Sequence, residues 1–120
     1  MATFTKAVLT GSTDGRAIKV AATASPGTTV TTGSSTAADL HEVWLYAQNT
    51  SAADVKLTLE WGGTTSPDDL IEITITTEAG LTLVAPGLLI KGNATPLVVK
   101  AFAATTNVIT LHGYVNQITA

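Results

Sequence analysis

A chain of 120 residues can close one hydrophobic core and is too short for two. It has no cysteine, which excludes a disulfide framework, a thiolate nucleophile and any cysteine-held metal. Only 12% of its residues are charged against 45% hydrophobic, the net charge is −3, and the six basic residues are scattered, so the electrostatic footprint of a nucleic-acid binder is excluded.

The first run, Thr3 to Thr10, is β-prone, and Ser12-Thr13-Asp14-Gly15 signals a turn into Ala17, Ile18 and Val20. A hairpin is expected there. The same stretch lacks a charged region followed by a long apolar run, and nothing in the chain approaches the roughly 18 apolar residues of a membrane span. Synthesis and use without secretion, and without a membrane partner, is the expectation. From Ala21 to Asp39 the chain turns to small and hydroxyl residues, broken by Pro26-Gly27 and Gly33-Ser34-Ser35, with a short strand around Val30. It reads either as a linker or as an extended segment that orders only against a partner.

Leu40 to Gly63 is the organising stretch. Val43, Leu45 and Ala47 alternate with Glu42, Trp44, Tyr46 and Gln48, and Val55, Leu57, Leu59 and Trp61 alternate with Lys56, Thr58 and Glu60. The period of two predicts two strands, each with one apolar face. Asn49 to Asp54 is rich in turn residues, so an antiparallel hairpin is expected, with Trp44 and Tyr46 sharing a non-core face with Lys56 and Glu60. Trp61 falls on the core side. Two large aromatics among polar groups on an outward face imply that something covers them, either a second layer of the same domain or a partner.

Gly62 to Asp69 reads as a loop, and Leu70 to Thr77 as a strand with Ile71, Ile73 and Ile75 on one face. Ala85-Pro86-Gly87 predicts a turn or a corner between two short strands, Leu81–Val84 and Leu88–Ile90. After the turn at Lys91–Pro96, Leu97–Ala103 and Val108–Ile118 are the last strands, and Gly113 marks a bulge or the close approach of another backbone. No window holds a capped helical period. Eight to ten short strands with turns between them predict an all-β antiparallel sandwich or jelly roll without significant helix, as one domain over 1–120. Residues 1–39 form its arm, hairpin and small-residue segment, and 40–118 its core.

No nucleophile elbow, phosphate loop, zinc-protease motif or calcium loop is present. His41 and His112 read as strand-edge or interface side chains, and Asp68, Asp69 and Glu72 as solvated loop acids rather than a calcium site. Neither an enzyme activity nor a cofactor is expected. Trp44, Tyr46, Trp61 and Tyr114 are the aromatics a carbohydrate-binding module would use, although Trp61 lies with the core set.

The stretches Glu42–Asn49, Leu57–Thr64, Ala79–Leu88, Gly92–Ala103 and Val108–Ile118, with E-V-W-L-Y-A-Q-N, L-T-L-E-W-G-G-T and V-N-Q-I among them, resemble small structural proteins of tailed bacteriophages, head decoration (cement) proteins in particular. The resembling stretches are spread over about two thirds of the chain, from residue 42 to residue 118, and leave the first 40 residues out. It implies a virion protein made in the host cytoplasm, bound as a homotrimer on the outside of the major capsid protein lattice and stabilising the head. The alternatives are a neck, tail or fibre subunit, or a sugar-binding sandwich. The expected interface comprises Trp44, Tyr46, Lys56 and Glu60, joined by Phe4 and Val8 of the N-terminal run.

Overall fold

The computed structural model describes residues 2–119, so the two terminal residues of the expected domain and arm lie outside it. Nine strands form: β1 (Thr3–Val8), β2 (Ile18–Lys19), β3 (Thr28–Thr32), β4 (Leu40–Asn49), β5 (Val55–Trp61), β6 (Leu70–Ile75), β7 (Thr82–Lys91), β8 (Val98–Ala103) and β9 (Ile109–Thr119). No helix occurs among the described residues. The expected all-β antiparallel sandwich is the fold.

Sheet A runs β1-β9-β4-β7, with β2 also paired to β9, and sheet B runs β3-β8-β5-β6. β1 and β2 lie one after the other along the same edge of β9, Val8 opposite Tyr114 and Ile18 opposite Leu111. They are two pieces of one interrupted edge strand, so the hairpin expected between them does not form. Counted that way, eight strands pass between the sheets in the double Greek-key order of a jelly roll. The intervening residues leave sheet A to bury Leu9 and to touch sheet B, where the Gly11 N–H donates to the Val30 carbonyl at 2.9 Å.

The period of two puts Val43, Leu45, Ala47, Leu111 and Val115 of sheet A against Val30, Leu57, Leu59, Val99 and Ala101 of sheet B. Trp61 packs at the margin of this core, on the side its alternation predicted. Three further sequence expectations fail. β4 and β5 are not a hairpin: β4 lies in sheet A and β5 in sheet B, and Asn49 pins the arch between them. Its buried Nδ2 donates to the Ala53 and Ile75 carbonyls at 2.7 and 2.9 Å, while its Oδ1 accepts from the Ser51 N–H. The Ala21–Asp39 segment orders within the chain itself, since β3 pairs with β8 and Val30 is fully buried. Ala85-Pro86-Gly87 does not end a strand. β7 is continuous along β4 and takes up two bulges, one at Gly87, whose φ of +74° suits glycine.

Gly113 meets the expectation of a close backbone approach. A Cβ there would overlap the Trp44 carbonyl oxygen, so β9 and β4 pass too closely for any side chain.

Candidate docking face and polar cleft

The two outer faces of the sandwich differ in chemistry. On sheet A the outward positions of β4 and β9 pair as Leu40 with Ile118, Glu42 with Asn116, Trp44 with Tyr114, and Tyr46 with His112. Phe4 and Val8 of β1 continue the rows past Ile118 and Tyr114, and Leu89 and Leu83 of β7 continue them past Glu42 and Tyr46. Among the described residues the large hydrophobic side chains left exposed, Phe4 (70% exposed), Val8, Leu81, Leu83, Leu88 and Leu89, all lie on or next to the two edge strands of this sheet. Exposed apolar groups gathered on one face mark an interaction surface.

The centre of the face is tied together by stacking and hydrogen bonds. Trp44 stacks on Tyr114 with ring centroids 6.2 Å apart and planes 12° from parallel, and Lys6 Nζ lies 4.9 Å from the Tyr114 ring centroid. The indole covers Gly87, where an added Cβ would come within 2.9 Å of the ring. Trp44 Nε1–H and Asn116 Nδ2–H both donate to Glu42 Oε1, at 2.7 and 2.8 Å, and these bonds hold the Glu42 carboxyl below its ordinary range. Lys6, Lys19 and Lys91 are the lysines of the sheet A strands, and Glu42 is their carboxylate.

Sheet B presents a more polar outer face, with an exposed ion pair and one buried carboxylate. Lys56 pairs with Glu72 at 2.8 Å, and Glu60 is 0% exposed because the loop before β3 folds over it. Ser25 Oγ–H and the Gly27 N–H each donate to the Glu60 carboxylate at 2.6 Å. The expected interface therefore divides. Trp44, Tyr46, Phe4 and Val8 come together on sheet A, whereas Lys56 and Glu60 lie on the opposite side of the molecule, and Glu60 is out of reach of any partner. Tyr114, Leu83 and Leu89 belong to the sheet A face through a strand register that alternation alone does not show.

At the end of the sandwich where His41 of β4 faces Gln117 of β9, the inward face turns polar. Thr10, Thr32, Ser34, Ser35, Asp39, His41, Gln117 and Thr119, with Gly33, line an open cleft of about 370 Å³. His41 is 7% exposed, its Nδ1 has no hydrogen-bond partner, and burial lowers its pKa from 6.5 while the neighbouring Asp39 charge partly offsets the shift. The fold thus prefers the neutral ring. Stability is complete above pH 6.5 and is lost as the pH falls from there through the lowered native value, because the unfolded chain takes up the proton more readily. Melting temperatures recorded from pH 8 to pH 5 should decline on the acid side, and His41→Gln should flatten that decline; an unchanged slope in the variant would remove His41 as its source.

Asp69 accepts from the Thr65 N–H at 3.1 Å, and no group of three or more potential metal-ligating side chains forms among the described residues. No family model, curated protein or solved structure matches this chain.

Proposed function

We propose that this protein is a structural assembly module that docks through the outer face of sheet A, and that its setting is the exterior of a tailed-phage head, which it decorates as a homo-oligomer bound to the capsid lattice. The observation that supports the docking reading is the asymmetry of the two outer faces. One gathers the exposed Phe4, Val8, Leu83 and Leu89 around a Trp44–Tyr114 stack, and the other carries an exposed Lys56–Glu72 ion pair and a loop over Glu60, with no large hydrophobic exposed on its strands among the described residues. A low share of charged residues favours the same reading, since a face that spends its life covered needs few of them. The phage setting rests on the resemblance of Glu42–Asn49 and the later stretches, and trimeric closure would bury the face symmetrically.

Phe4→Asp and Leu89→Asp alter side chains that are already exposed, so the melting temperature of the monomer should hold. Self-association measured by light scattering and co-sedimentation with undecorated phage heads should both fall. Trp44→Ala should weaken docking by about 2–4 kcal/mol, the usual cost of truncating an interface aromatic. If all three variants assemble and sediment like the parent protein, the sheet A face is not the docking surface. Normal self-association with no retention on heads would keep the face and discard the capsid setting.

A further inference from the structure

We infer that the polar cleft at the β1/β9/β4 end of the sandwich is a binding site for a neutral, polyhydroxylated ligand of monosaccharide size. The inward positions of a sandwich sheet ordinarily carry apolar side chains, yet His41 and Gln117 sit directly opposite each other on β4 and β9, and Thr119 follows them. Beside them the outward positions are Leu40 and Ile118. The usual polarity is inverted at this end, and the inward groups line an open space instead of a core.

Several of these groups have no work inside the protein. Gln117 makes no side-chain hydrogen bond among the described residues, and neither do the Ser35 and Thr32 hydroxyls, although His41 is nine-tenths buried with its Nδ1 unpaired. His41 Nδ1 is closed off from solvent, so a ligand in the open cleft pairs with the Gln117 amide and the Ser35 and Thr32 hydroxyls, which no described group of the protein occupies. Ser34 Oγ–H is committed to Asp39 at 2.8 Å, which orients the carboxylate. Donors and acceptors are therefore mixed: amide, hydroxyls, a neutral imidazole and one carboxylate.

That set selects among ligand chemistries. An anion would meet Asp39 and no lysine or arginine along the lining. A divalent cation would find a single carboxylate, far from the six to eight oxygens calcium takes. A flat aromatic or lipid chain would find no aliphatic or aromatic hydrophobic side chain along the lining. A polyol presents hydroxyls that donate and accept at once, which the lining matches, and about 370 Å³ falls within the range of small-molecule sites. The aromatics Trp44 and Tyr114 take no part, because they lie on the other side of sheet A.

The two histidines of the chain allow a direct test. Imidazole proton resonances are followed by NMR while the intact protein is titrated separately with glucose, galactose, mannose, N-acetylglucosamine, inorganic phosphate and calcium chloride. At least one sugar should move the His41 resonance saturably and leave His112, on the outer face, in place. Gln117→Leu, which keeps the volume and removes the hydrogen bonds, should weaken that sugar about tenfold. The inference is overturned if no sugar moves His41, if phosphate or calcium moves it in place of sugar, or if Gln117→Leu binds as tightly as the parent.

Discussion

Gly113→Ala should lower the melting temperature by more than about 10 °C, through a loss of at least about 3 kcal/mol, or prevent folding altogether. β9 runs through the interior of sheet A with β4 on one side and β1 and β2 on the other, and Gly113 stands opposite Leu45. The added methyl would overlap the Trp44 carbonyl oxygen and come 3.2 Å from the Leu45 Cα. Both are backbone atoms, so no rotamer change relieves the contact. The two strands would have to part where Leu45 enters the core and Trp44 stacks on Tyr114. An alanine variant melting within a few degrees of the parent would show that β4 and β9 can separate there at little cost.

Glu60→Leu should cost about 2–3 kcal/mol even though it replaces a buried carboxylate by a hydrophobic group of similar size. The change leaves the Gly27 N–H and the Ser25 hydroxyl without their acceptor, under a loop that lies against the β8 backbone: a Cβ on Gly27 would come 2.6 Å from the Ala101 carbonyl carbon. Glu60→Gln retains one acceptor oxygen and should lose about half as much. Hydrogen exchange at the Gly27 amide separates local from global effects. It should accelerate in Glu60→Leu well beyond the amides of β5, and protection equal to the parent would mean that the loop is held by its packing on β8 and not by the carboxylate.

The strands themselves were legible because each carries its own period of two. Val43–Ala47, Val55–Trp61 and Ile71–Ile75 alternate cleanly, and their apolar sets are the ones that meet in the core. Which strand pairs with which was not legible. A short polar segment such as Asn49–Asp54 serves a hairpin and an arch equally well, and the difference lies in the Asn49 amide reaching the Ile75 carbonyl, a contact with a residue much later in the chain. Gly87 shows a milder version of the same limit: the need for a positive φ was readable, but whether the residue closes a turn or a bulge depends on β4 lying alongside.

The candidate face was half legible for the same reason. Trp44 and Tyr46 point outward by parity alone. Glu60 shares the outward parity of its own strand, yet the loop that buries it comes from residues 25–27, and no local pattern announces that cover. The cleft was not legible at all, since residue 10, residues 32–41 and residues 117–119 meet only because β9 lies between β1 and β4.

That placement of β9 has a consequence in time. The strand latest in chain order is the one to which β1, β2 and β4 are all paired, so most of sheet A has no template until the ribosome has passed residue 119. Until then β1 waits with an unpaired edge, across more than a hundred residues of intervening chain, for the strand that will hold it. Pairings of such long sequence separation place folding in the slow, millisecond-to-second class, and the exposed hydrophobics of β1 and β7 are then open to intermolecular pairing during synthesis as well as in assembly.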